Sequence, residues 1–95
     1  MSKIVTNNYP NPFNPTTTIN VRIDIPTKNE LLKVKIFNLK GQIVKELFNK
    51  KINEKSIQIE WDGRDNDDKP VSSGIYYYTV QYSHFKATQK MILLK

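Results

Sequence analysis

The chain has 95 residues, of which 38% are hydrophobic, 15 are Lys or Arg, 9 are Asp or Glu and none is Cys. That length holds one domain with a single core, and the missing cysteine excludes disulfide staples, thiolate zinc sites and thiol catalysis. The net charge of +6 comes from 13 Lys and 2 Arg spread along the chain. This is the pattern of solvated strand faces and protected sheet edges; nucleic-acid readout favours the planar, bidentate guanidinium that is scarce here.

Residues 1–5, Met-Ser-Lys-Ile-Val, lack the apolar core of about 7–15 residues found in a secretory signal. No run approaches the about 20 apolar residues of a membrane-spanning helix. An exported form is therefore expected to take its export signal from a longer parent, or to have lost it. Residues 7–15 hold three prolines in nine positions, so residues 1–15 are read as an extended Pro/Asn-rich lead-in, either a linker or a strap across one end of the fold. Residues 16–95 are read as the single folded domain.

From residue 16 onward the apolar residues recur with period two. Residues 16–25 place Ile19, Val21, Ile23 and Ile25 on one face and Thr18, Asn20, Arg22 and Asp24 on the other, a half-buried antiparallel strand that Pro26 stops. Leu32, Val34 and Ile36 alternate with Lys33 and Lys35 in a second strand. Asn38-Leu39-Lys40-Gly41 is a turn in which Gly41 supplies positive φ. In the next strand, residues 42–48, Val44 and Leu47 stand three apart, which predicts a bulge or an early end. A polar run, residues 49–55, leads to Ile57, Ile59 and Trp61 on one face of residues 56–61. Residues 62–73 are an acidic loop. Residues 74–82 form the most aromatic strand, and Ser83-His84 turns it into a final strand over residues 86–94. Six strands, or seven if residues 3–5 also pair, separated by turn signals, predict an all-β, immunoglobulin-like antiparallel β-sandwich. Its expected core is Ile19, Val21, Ile23, Val34, Ile36, Val44, Ile57, Ile59, Trp61, Tyr76, Tyr78, Val80, Met91 and Leu93.

Little in the chain suggests catalysis. Asp62, Asp65, Asp67 and Asp68 superficially resemble an EF-hand loop. A frame from Asp62 puts Arg64 at position 3 and Ser73 at position 12, and a frame from Asp65 puts Pro70 at position 6, so neither works. Two readings remain for this loop: a loose calcium site, and a turn-rich loop whose Asp and Asn side chains bond the local backbone. His84 lies in a turn without a nucleophile frame beside it. The acids lack the apolar burial that glycoside hydrolysis requires, and no glycine-rich phosphate loop exists. Asn14-Pro15-Thr16 is no glycosylation acceptor, because proline fills its middle position. Tyr76, Tyr78, Val80 and Tyr82 share a face, and most of that set is expected in the core; an exposed tyrosine face would instead stack on carbohydrate. The chain is expected to be no enzyme and to need no cofactor or metal.

Four fragments carry a resemblance. Asn8-Tyr9-Pro10-Asn11-Pro12-Phe13-Asn14-Pro15 before Thr16-Thr17-Thr18-Ile19, Val34-Lys35-Ile36-Phe37-Asn38-Leu39-Lys40-Gly41, Trp61-Asp62-Gly63-Arg64-Asp65 with Pro70-Val71 and Ser73-Gly74-Ile75-Tyr76, and Lys90-Met91-Ile92-Leu93-Leu94-Lys95 together resemble the C-terminal sorting domain of proteins handled by the type IX secretion system. The likeness spans residues 8–95. A glycine is common in that family where Asp68 stands. The third block also resembles the immunoglobulin-like domain of flagellar hook-capping proteins, the second-ranked relative.

The first resemblance implies a domain that follows an N-terminal cargo, crosses to the cell surface through the periplasm and outer membrane, is read by the outer-membrane secretion translocon, and is often removed by a sortase-like peptidase near or before Asn7. It implies no nucleic-acid partner, no membrane span and a monomer. By matching position, the recognition residues are Gly74, Tyr76, Lys90, Met91, Ile92, Leu93, Leu94 and Lys95. Pro10, Asn11, Pro12, Phe13, Gly41, Trp61, Asp62 and Gly63 are the structural motif. If the last strand lies at a sheet edge, its backbone is expected to pair with a partner strand. Gly74 is expected to resist substitution because backbone or a ring packs against it.

Overall fold

The computed structural model describes residues 4–24 and 29–95; Lys3, Ile25 and Pro26, named above, lie outside them. The described chain forms β1 (Ile4–Tyr9), β2 (Thr17–Ile23), β3 (Glu30–Phe37), β4 (Ile43–Ile52), β5 (Ser56–Trp61), β6 (Gly74–Tyr82) and β7 (Phe85–Leu93). Two antiparallel sheets result, one in the order β1-β2-β5 and the other β4-β3-β6-β7.

Period-two alternation sets the register. Ile19, Val21 and Ile23 on β2 turn inward, as do Leu32, Val34 and Ile36 on β3, Tyr76, Tyr78, Val80 and Tyr82 on β6, and Met91 and Leu93 on β7. A slip of one residue in any of these strands would expose its whole apolar set, so the pairing is strongly specified. The result is the expected immunoglobulin-like sandwich. Its β4 sits beside β3 on the larger sheet, where a constant-type immunoglobulin domain would place it beside β5.

In its described part, the lead-in expected over residues 1–15 is part of the sandwich. Ile4–Tyr9 is a full edge strand paired with β2 from Ile4↔Ile23 to Tyr9↔Thr18, although it is rich in Asn. Cross-strand contacts outweigh the low strand propensity of Asn: Asn20 Nδ2 donates to Asn7 Oδ1 at 3.1 Å, and Thr6 Oγ1 donates to the Asn20 carbonyl at 2.8 Å. Phe13 is as buried as the strand residues. The segment belongs to the sandwich because its apolar side chains, Ile4 and Phe13, complete the core.

β4 carries the expected irregularity twice and does not end early. Its register with β3 jumps from Val34↔Phe48 to Lys35↔Glu46, and from Ile36↔Lys45 to Phe37↔Ile43. Leu47 and Val44 are thus the two extra residues, and the bulges turn both onto the core. The strand then runs to Ile52, which is buried, so most of the supposed polar connection is strand. Val44 and Ile57, expected in the core, pack against it only partly buried, while Ile4, Phe13, Leu32, Ile52 and Tyr82 join it.

Trp61 is the hub of one end. It is fully buried, its ring lies 5.6 Å from Phe13 at 54° and 5.6 Å from Tyr76 at 72°, and its Nε1 donates to the Arg64 carbonyl at 2.9 Å. Tyr76 in turn donates its hydroxyl to the Ser72 carbonyl at 2.6 Å, the tyrosine-corner arrangement of such sandwiches. Trp61→Ala is expected to lower stability by about 3–5 kcal/mol in urea or thermal unfolding; a loss below about 1 kcal/mol would show that the hub carries little.

The remaining inward tyrosines offer no stacking platform. Among the described residues, the buried hydroxyls of Tyr78 and Tyr82 have no partner at hydrogen-bond geometry. Burial holds the Tyr78 phenol above its ordinary value of 10.0, only partly offset by the neighbouring Thr6 side chain. Because the folded state keeps the proton that the unfolded chain releases, this contribution is complete below about pH 10 and falls as pH rises through the higher folded value. Urea midpoints should therefore drop more steeply above about pH 10 in the parent than in Tyr78→Phe. At neutral pH that variant should match or exceed the parent, since it removes an unsatisfied hydroxyl.

Candidate functional site

The sheet register brings the four sequence blocks to one end of the sandwich. β6 and β7 pair Gly74 with Leu93, Ile75 with Ile92 and Tyr76 with Met91, and the Lys95 amide donates to Ser73 Oγ at 3.0 Å. The first block closes on β7 from outside. Phe13 forms a parallel bridge to Leu93: its amide donates to the Ile92 carbonyl at 2.9 Å, and its carbonyl accepts from the Leu94 amide at 2.9 Å. One step earlier, Asn11 Oδ1 accepts from the Ile92 amide at 3.0 Å and Asn11 Nδ2 donates to the Lys90 carbonyl at 3.3 Å.

Behind this contact, Gly63 (φ +76°) admits the chain at Pro15, whose carbonyl oxygen would lie 3.1 Å from any Cβ added there. The Asn38–Gly41 turn, with Gly41 at φ +80°, flanks an open groove of about 270 Å3 shared with Ser73, Gly74 and Ile75. Pro10 holds the start of the wrap through its carbonyl, which accepts from the buried Thr17 hydroxyl at 2.8 Å; exposed Pro12 separates Asn11 from Phe13.

The eight residues matched to recognition thus divide. Met91 and Leu93 are fully buried and Tyr76 nearly so, which removes their side chains from any partner's reach in the folded domain. Lys90, Leu94 and Lys95 are exposed, and Gly74 and Ile92 are half-buried. β7 does lie at a sheet edge, yet the expectation that it offers its backbone there is corrected: the outward groups of Lys90, Ile92 and Leu94 are already bonded to Asn11 and Phe13. β4, the opposite edge, is blocked in the same manner. The Asn66 amide donates to the Val44 carbonyl at 3.0 Å and its Oδ1 accepts from the Glu46 amide at 3.0 Å. Gly74 is not held by a packed neighbour, contrary to expectation. Nothing lies within 4 Å of a Cβ added there; its φ of +153° is what disfavours a side chain.

The acidic loop is built from local bonds. Asp65 Oδ1 accepts from the Asp67 and Lys69 amides at 2.9 and 3.0 Å, and Asp62 Oδ1 accepts from the Arg64 amide at 3.2 Å, with a loose Asp62–Arg64 ion pair at 3.9 Å. Among the described residues no group of three or more His, Cys, Asp or Glu is placed to hold a metal. Asp68 stands at φ +61°, which gives the family's glycine at that position a conformational reason.

Sequence reasoning missed Asn11, Ser73 and Asn66 as bonding residues. Asn is an ordinary loop residue, and the only sequence cue at Asn11 is its position between two prolines, which themselves cannot donate.

Among the described residues, the fold and this end define a seven-stranded immunoglobulin-like domain whose larger sheet is capped on both edges near that end. Residues 6–85 match the FlgD Ig-like domain family, and the chain belongs to that family. No curated protein matches the chain. A crystal structure of dimeric latent PorU from Porphyromonas gingivalis is similar over 99% of this chain and 10% of PorU, with TM-score 0.76 and 21% identity. PorZ, described as an essential bacterial surface component of the type-IX secretion system of the same organism, is similar over 95% of this chain and 11% of its own, with TM-score 0.58 and 19% identity. The chain thus spans about a tenth of either protein.

Replacing Asn11 by Ala frees one amide and one carbonyl at the β7 edge. The expected loss is about 1–2 kcal/mol in chemical unfolding, with concentration-dependent self-association on size-exclusion chromatography.

Proposed function

We propose that this domain is a non-catalytic sorting signal that directs an N-terminal cargo through the type IX secretion system to the cell surface, where a sortase-like peptidase separates the two. The observation that supports this most is the meeting of all four blocks at one end of the sandwich, although Asn11 and Ile92, which bond there, lie 81 positions apart in the chain. The exposed Leu94 and Lys95 and the half-buried Ile92 and Gly74 are the part of that end a translocon can read. The likeness in fold to PorZ is consistent with the reading.

A second reading, an immunoglobulin-like scaffold, is favoured by the family match itself. The two separate in one experiment. Residues 1–95 fused behind a periplasmic reporter in a type IX-competent cell should bring the reporter to the surface; a folded fusion retained in the periplasm would overturn the sorting role and leave the scaffold. Deleting residues 91–95 is unsuitable as a control, because it takes Met91 and Leu93 out of the core. Leu94→Ser with Lys95→Glu alters only exposed side chains, and should abolish display while leaving the melting temperature unchanged.

A further inference from the structure

The two outer faces of the sandwich differ in charge. On the three-stranded sheet the cross-strand rows are Tyr9–Thr18–Glu60, Asn7–Asn20–Gln58 and Val5–Arg22–Ser56, and Arg22 is ion-paired with Asp24 at 3.2 Å. That face is polar, with its charges largely balanced. On the four-stranded sheet the rows are Ile43–Phe37–Tyr77–Lys90, Glu46–Lys35–Thr79–Thr88 and Asn49–Lys33–Gln81–Lys86. Four lysines stand there against one glutamate, and Asn49 Nδ2 donates to that Glu46 at 3.2 Å.

The same face becomes apolar toward the end that bears the blocks. Ile43 is 50% exposed, Phe37 and Tyr77 are half-buried, and Ile75 pairs with Ile92 one row beyond. Leu39, 64% exposed, lines the groove with Ile75. An apolar patch bordered by lysines that make no ion pair among the described residues is the composition of a docking surface whose partner brings apolar side chains and negative charge. A stacking glycan would need open aromatic faces, and this patch is mainly aliphatic, with its two aromatic rings half-buried.

We propose that the outer face of the four-stranded sheet docks an acidic polypeptide segment, with apolar side chains seated on Ile43, Tyr77 and Ile75 and carboxylates facing Lys33, Lys35, Lys86 and Lys90. The inference goes beyond the sorting reading and stands equally for a scaffold, since it concerns binding and not export. Long lysine side chains on a sheet face steer an acidic partner and set its orientation, and the apolar patch supplies the adhesion.

The test is a titration of the 15N-labelled chain with a synthetic peptide of alternating Glu and Leu, with its Gln-for-Glu counterpart, and with heparin as a sulfated glycan. Amide shifts should concentrate on the three rows of this face, and the Glu peptide should bind about tenfold or more tightly than the Gln peptide. Lys35→Glu with Lys90→Glu should weaken it by a similar factor, as should Ile43→Ser with Tyr77→Ser. Lys55→Glu, a charge change beside the smaller sheet, should not. Equal loss in that control, shifts spread over both sheets, or heparin binding here where the Glu peptide does not bind would each overturn the proposal.

Discussion

The contact on which the structure turns is Phe13. Its ring enters the core against Trp61, and its backbone closes a two-bond bridge to the outer edge of β7. One residue therefore does what two sheets cannot do for themselves, since their pairing patterns end at β1 and β7. The chain leaves β1, crosses the open side of the sandwich, locks onto β7 and returns as β2. Trp61 then transmits that position to Tyr76 at the start of β6, and the tyrosine-corner bond to Ser72 fixes the loop that precedes it. The apolar burial and the backbone bonds cooperate: the ring holds Phe13 close enough for both bonds to form, and the bonds prevent the ring from leaving.

Edge protection follows from the same economy of means. A small sandwich with two short sheets has four unpaired edges, each a template for association. On the larger sheet the chain blocks one end of each edge with asparagines from loops, Asn11 against residues 90–92 of β7 and Asn66 against residues 44–46 of β4. A side-chain amide presents an N–H donor and a carbonyl acceptor side by side, so it can imitate a strand residue without extending the ladder. Asn11 uses both groups in that way, while Asn66 combines its side chain with its own backbone amide.

Much of this fold was legible in the sequence. Strands β2, β3, β5, β6 and β7 announce themselves by period two, and even the bulges of β4 were visible in the spacing of Val44 and Leu47. The lead-in was not legible, for a physical reason: Asn7, Asn8 and the prolines carry no apolar alternation, and what orders them is the distant partner that they meet. Propensity reports local preference, and here long-range pairing with Asn20, Thr17 and Ile92 overrides it. The candidate site was half legible. Its residues were named by resemblance, but which of them face solvent depended on the register of β7, and the closed edge depended on Asn11, whose role no pattern signals.

That division bears on what the sequence blocks mean. Phe13, Trp61, Gly63, Tyr76, Met91 and Leu93 are placed by packing: burial, aromatic contact or the close approach of Pro15 to Gly63 accounts for each. Blocks dominated by such residues specify an architecture, and the third block accordingly resembles flagellar immunoglobulin-like domains as well as type IX sorting domains. Any information that separates the two roles must lie where packing is indifferent, at Leu94, Lys95, Lys90 and the cationic outer face of the larger sheet. The blocks bring Lys90, Leu94 and Lys95 to one end of the molecule, where a partner of the proposed kind would meet only the few side chains that the core has no use for.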